Sequence, residues 1–410
     1  MNLRRSTLSL AAALVLTSGC NLGRTVDKTT LKRLAPGMLA VGDVGLACAA
    51  GESLAPVMMA LGHGSDGAKE PKKASALTLI AAGMCSERGA WEAELERQRI
   101  RYTIGHGGDA SQASVLQDLS AKGQRFHEEA AARNYAAFLR VVDVYGAPSE
   151  EASCPRRRLK ERDQQLFLLG MTAGLLATIH DTQADRVVGV PQSIPPLVQD
   201  GVACLDDERW WGVPGALGAA IAASIPGAAA PGVDPWVTLE SAAQRGEAQG
   251  LWLGRALQLQ AAVGAGKDDV VWSTIAAHGA ALSRSAAAGD GGAGAADGDY
   301  ALLNAYASEM IRFASDVRWL EATGQRTPLG QLGQRPPARE ASPPPVVSDA
   351  EAAEFLDGIE DEPDQGAPSG SDTATAGAVE STPGDPGPNP SGGSAAAKAA
   401  APAPQPTNSK

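Results

Sequence analysis

The sequence predicts an all-α fold of paired antiparallel helices, either a tetratricopeptide-like helical repeat or an irregular bundle, with a disordered carboxyl-terminal tail. Three observations predict it. Apolar residues recur three and four apart through the middle of the chain, alternating β-branched runs are nearly absent, and Gly and Pro fall between the periodic stretches.

The elements follow in order. Leu46, Ala50, Leu54, Val57 and Leu61 keep helical spacing, and Pro56 should kink or restart that helix. Ala76, Leu77, Ile80 and Met84 form the next stripe. Tyr135, Phe138, Leu139 and Val142 follow Phe126 and end near Gly146. A helix from Leu159 to His180 sets Leu166 and Leu169 beside Gly170, Ala173 and Ala177, small residues that let another helix come close. Leu217 to Ile225 is a short Ala-rich helix stopped by Pro226 and Gly227. Asp234 is placed to cap a helix beginning at Pro235, which continues or restarts through Trp252, Ala256 and Leu259. Val271, Ile275, His278 and Leu282 make another stripe. The clearest is Leu303, Tyr306, Met310, Phe313, Val317 and Leu320, ended by Gly324. Val187, Val188 and Val190 make at most a short extended piece, and the stretches 105–111 and 286–298 read as surface loops.

The two ends read differently from the middle. Arg4 and Arg5 precede an apolar run from Leu8 to Leu16, closed by Leu16-Thr17-Ser18-Gly19-Cys20. This reads as a signal peptide (1–19) ending in a lipobox, with Cys20 as the lipidated residue. The apolar run is too short to span a bilayer. The expected location is the cell envelope, lipid-anchored and periplasm-facing, and Asn21 after the cysteine favours the outer membrane. Residues 20–40 would be a linker, 41–325 the helical domain and 326–410 an acidic tail rich in Pro, Gly, Ser and Ala. Such a tail buries too little to offset about 1–2 kcal/mol of backbone entropy per residue.

Most of the net charge of −12 belongs to that tail, where eleven acids face two lysines beyond Ala341. No basic stripe with interleaved aromatics appears, so nucleic acid is not an expected partner. Arg156, Arg157, Arg158 and Lys160 read as a solvated helix start. Export puts Cys48, Cys85, Cys154 and Cys204 in an oxidising compartment. Four cysteines allow three pairings, of which the sequential one, Cys48 with Cys85 and Cys154 with Cys204, is preferred.

Chemical signatures are sparse. His127-Glu128-Glu129 lacks the second histidine of a zinc HExxH motif and reads as a solvated helix face. His180, Asp181 and Asp185 could meet at a helix end around a cation, but His180 also suits the negative end of a helix dipole and the aspartates a cap. His63 and His106 lie in glycine-rich loops, and Gly105-His106-Gly107-Gly108-Asp109 lacks the lysine of a phosphate loop. No catalytic residue, metal site or cofactor is assigned. Trp210 and Trp211, followed by Gly212, are candidates for a ligand or protein contact, as is Trp252; core packing is their alternative role.

The run Gly170-Met171-Thr172-Ala173-Gly174-Leu175-Leu176-Ala177-Thr178-Ile179, with Asp181 and Ile194 after it, resembles the Gly/Ala-rich helix of TRAP transporter T-components. Ala216 to Gly227 is similar to that family's next apolar helix with its Pro-Gly stop, and the 301–320 helix, with Asn304 and Trp319, has a similar late position. The resemblance spans roughly Gly42 to Gly324 and rests on element order more than identity. It implies a lipid-anchored periplasmic protein with tetratricopeptide-like helix pairs and no enzyme activity. It also implies a trimer with an apolar cavity, acting beside a periplasmic solute-binding protein. An accessory role in solute or hydrophobic-ligand transport is the leading expectation, and an envelope scaffold is its rival. A metal-dependent hydrolase, the third class, requires His180 or His127 to converge with carboxylates from other elements.

Overall fold

The computed structural model describes residues 23–62, 69–148, 154, 159–288 and 300–337. Cys20 with its leader, His63, the basic run 156–158, most of the stretch 286–298 and the acidic tail beyond residue 337 lie outside the described residues. Everything described is helix, turn or irregular chain, with no β-strand among the described residues. None of these helices is long and apolar enough to cross a membrane.

The chain is already helical at residues 23–29 (α1), passes through a π-helical turn Thr30–Leu34 and a short helix Ala35–Leu39 (α2), and then enters Val44–Ala60 (α3). From residue 23 onward, the stretch expected to be a linker is therefore folded onto the body. Leu39 is buried, and the Asp27 carboxylate accepts hydrogen bonds from the backbone N–H groups of Lys73 and Ala74. Two long helices follow, Lys72–Gly105 (α4) and Ala113–Tyr145 (α5). At 1.5 Å per residue each is about 50 Å long, and they pack on each other as an αα-hairpin. Then come Glu161–Gln183 (α6), Ile194–Val202 (α7), Val213–Ser224 (α8) and Pro235–Ala248 (α9), followed by Leu253–Gly264 (α10), Asp268–Ala288 (α11) and Ala301–Thr323 (α12). From α3 onward each helix packs on the next, and α12 returns to pack against α4.

Local signals account for many boundaries. Asp43 and Asp234 accept the backbone N–H groups of Leu46 and Trp236 as N-caps of α3 and α9. Gly324 closes α12 in the left-handed conformation, φ 72°. Where α6 crosses α5, a Cβ on Gly174 would lie 2.6 Å from the Phe138 ring, so only a glycine permits that approach.

The stripe on α3 is a correction. Leu46 and Val57 are 65% and 51% exposed, and the buried face consists of Val44, Ala47, Cys48, Gly51 and Ala55. Small residues won this face because they let two backbones meet: a Cβ on Gly51 would lie 2.4 Å from the Ala82 nitrogen of α4. A disulfide between Cys48 and Cys85 crosses the same contact. Pro56 does not restart the helix. It lies on the exposed side of a continuous α3, where Glu52, whose carbonyl loses its N–H partner, is also exposed. Cys154 pairs with Cys204 in the second disulfide.

The fold also runs past residue 325. Thr327 donates its N–H to Asp316, Arg326 pairs with Glu92, and the Trp319 indole donates to the Gln334 carbonyl. Residues 326–337 thus belong to the folded body and not to the tail.

Candidate functional site

Three helices each carry a polar residue on their buried face. On α4, Glu87 continues the core-facing series from Ile80 through Met84 and is only 1% exposed. On α5, His127 and Asn134 fall in line with Ala131 and Phe138. On α6, His180 follows Ala173 and Ala177. The fourth contributor is Tyr306 of α12, the helix that returns to α4.

A carboxylate removed from water in this way is tolerated only when its lone pairs are satisfied. Glu87 Oε2 accepts from the Tyr306 hydroxyl at 2.5 Å, and Oε1 accepts from Asn134 Nδ2 at 3.3 Å. His180 Nε2 lies 3.0 Å from Oε1. On its other side, His180 Nδ1 lies 2.9 Å from His127 Nδ1, with the two rings stacked. Burial and the neighbouring Glu87 push the Tyr306 hydroxyl far above the phenol range, so it remains a donor. Glu87 Oε1 accepts from His180 Nε2, and a single proton between the two Nδ1 atoms completes the contact with His127. The half-buried His127 is pushed down to about 4, chiefly by burial and secondarily by the His180 ring, and is neutral at pH 7. Its Nε2 has no hydrogen-bond partner among the described residues.

This chain of groups ends at a cavity of about 580 Å³ enclosed by α4, α5, α6, α10 and α12. His127, His180 and Tyr306 form its polar floor. Its walls are mostly apolar, with Trp91, Leu175, Leu257, Met310 and Phe313 prominent, and Trp91 stacks on Phe313 at 5.4 Å. Size and lining fall in the range of small-molecule sites. At the mouth, Arg97 pairs with Glu94, and Arg318 with Asp268 and Glu321.

The histidines expected to be solvated or to cap a helix are therefore members of one buried chain. His127 is no open-face residue: its ring stacks on His180 of α6, one turn before the buried Ala130 and Ala131. His180 meets Glu87 rather than Asp181 or Asp185. Asp181 accepts the N–H groups of Val188 and Val190, and Asp185 accepts from Gln124. His106 stacks on Tyr102 at the surface. No group of three or more His, Cys, Asp or Glu side chains suited to a metal ion occurs among the described residues.

The candidate tryptophans lie elsewhere. Trp210 is buried, its indole donating to Gln164, and Trp211, at φ 50°, sets its ring edge-on to Trp210 and Tyr300. Neither lines the apolar cavity. Trp252 is buried against His278 and borders a separate, more open and charged depression of about 760 Å³. The sequence reading missed Glu87 and Asn134, and it saw Tyr306 only as core. Their signal was present: each is a polar group on the apolar stripe of its helix. Comparison with protein-family models, curated proteins and solved structures found no match to this chain.

Proposed function

We propose that the protein is a non-enzymatic, lipid-anchored component of the cell envelope that holds an apolar small molecule and serves its transport beside a periplasmic solute-binding protein. The observation that carries this reading is the cavity of about 580 Å³ among α4, α5, α6, α10 and α12, apolar on its walls and polar at its floor. The anchor rests on the lipobox ending at Cys20. It gains support from exposed Arg24, Lys28 and Lys32, four residues apart at the start of the folded body, which favour an anionic bilayer surface by about 1 kcal/mol each. Sequential helix pairing accords with a tetratricopeptide-like arrangement, and a trimer belongs to the same proposal.

The test is native mass spectrometry of the full chain extracted from membranes in mild detergent. An apolar small molecule should be retained, and Leu175→Trp, which fills the cavity, should lose it. An empty wild-type protein that takes up no apolar probe would overturn the reading.

A second reading, a hydrolase, is favoured by the convergence of His127 and His180 with Glu87 from another helix. A neutral His127 oriented in this way is suited to general-base work. Turnover of short acyl esters that disappears in His127→Phe would support it, with and without added divalent metal.

A further inference from the structure

The outward face of α3 belongs neither to the cavity nor to the core. Leu46 and Val57, 65% and 51% exposed, stand three turns apart on one side of the helix, and Ala49, Ser53 and Ala60 are exposed along the same side. This stripe runs about 20 Å and carries no charge. Glu52, the one charged residue of α3, lies to its flank and pairs with Arg133 of α5. An outer helix face ordinarily carries charged or polar residues, and a contiguous apolar one marks a contact. The segment just ahead of it is cationic. Arg24, Lys28, Lys32 and Arg33 are exposed and have no ion-pair partner among the described residues. Asp27, the only acid between residues 23 and 42, is turned inward to the first N–H groups of α4. The α3 helix lies over that same α4, stapled to it by the Cys48–Cys85 disulfide.

We infer that this amino-terminal layer is the face of the body that rests on the membrane, and that its partner is an anionic phospholipid surface. The cations of α1 and of the π-helical turn meet head-group phosphates, and the α3 stripe enters the head-group region. This rests on the lipid anchor proposed at Cys20, three residues before Gly23 and so within about 10 Å of it even along an extended chain. It adds which side of the body the anchor holds down. Apolar area and attraction to anionic lipid together bind a helical surface to a bilayer, and they reinforce a covalent lipid. A second copy docked through the same layer would bring two sets of cations together, whereas anionic head groups neutralise them.

The experiment places a fluorophore on Ser53→Cys, within the α3 stripe, or on Thr238→Cys, an exposed site on α9, which packs on α8 and α10. The full lipidated chain is reconstituted into phosphatidylcholine vesicles containing phosphatidylglycerol, with a quencher high on the acyl chain. The Ser53 probe should be quenched about threefold more than the Thr238 probe, and high salt, or Lys28→Gln with Lys32→Gln, should remove about half of that difference. Leu46→Asp with Val57→Asp, both at exposed positions, should bring the Ser53 probe to the Thr238 level while the chain still floats with the vesicles. Equal quenching of the two probes without these substitutions would overturn the docking face and leave the anchor intact. A Ser53 probe shielded from water but not quenched by lipid, and released on dilution, would assign the stripe to a second copy and overturn the inference as well. Failure of the chain to float with the vesicles would overturn the anchor and the docking face together.

Discussion

His180 and His278 are buried to nearly the same degree, 5% and 1% exposed, in two regions built on different rules. Where α4, α5, α6 and α12 meet, Glu87, Asn134, His180 and Tyr306 are each partnered, and the chain of partners from Glu87 to His127 ends at a cavity. Between α10 and α11, the His278 ring packs against Trp252 at 4.6 Å, and neither of its nitrogens has a hydrogen-bond partner. The Thr274 hydroxyl, one turn earlier on α11, and the Ser308 hydroxyl of α12 are likewise unpartnered. Burial alone therefore does not mark a site here. The distinguishing feature is an ordered run of donors and acceptors that leaves one group facing open space.

The comparison is most exposed at Glu87. Glu87→Ala removes the acceptor of Tyr306 and Asn134 and the partner of His180, and it should destabilise the fold by about 3–5 kcal/mol. The denaturant midpoint reads this. A loss below about 1 kcal/mol would mean that the network is no more consequential than the unpartnered groups around His278.

How much of this was legible depends on what the residues share. The all-helical architecture, the N-cap at Asp234 and the end of α12 at Gly324 came from local chemistry, in which propensity and backbone requirements agree. The α3 face was misread because a Leu/Val stripe competed with a stripe of Ala, Cys and Gly. Hydrophobicity ranks the first higher, whereas close approach to α4 requires the second. The candidate site was half legible. His127 and His180 were both singled out, but each was weighed with its neighbours in sequence, and the partners lie 53 and 93 residues away. Glu87 could have been found as the lone acid on an otherwise apolar stripe. That it meets Tyr306 follows only from the return of α12 to α4, a tertiary fact that no periodicity encodes.

Acid sharpens the contrast. His127 and His278 are both lowered from 6.5 to about 4. Burial dominates in each, with His180 as the secondary cause for His127 and Arg312 for His278. Both are neutral in the folded state at pH 7, while the unfolded chain takes up protons below about 6.5. Stability should therefore fall as pH drops from about 6.5, and this contribution should level off below about 4. The shift sets a ceiling of roughly 3 kcal/mol per group, which half-exposed His127 will not reach. Imidazole NMR should place both midpoints near 4. Filling the cavity with an apolar molecule should lower the His127 midpoint, because the occupant removes water from the ring, and leave that of His278 unmoved. Equal movement of both would dissolve the distinction between the two regions.

The smallest effect is the most discriminating. His278→Leu removes no hydrogen bond and replaces a buried imidazole, desolvated without compensation, by an apolar side chain of similar size. It loses the edge contact with Trp252, worth about 0.5–1.5 kcal/mol, and recovers a desolvation cost of about 1–3 kcal/mol. The net change should lie within about 1 kcal/mol of zero or favour the variant, and the acid destabilisation should lose the share that His278 contributed. His180→Leu, a change of the same chemistry at comparable burial, strands Glu87 and should cost several times more. Matching losses from the two substitutions would show that packing alone holds both histidines, and the chain from Glu87 to His127 would then have no claim to orient anything in the cavity.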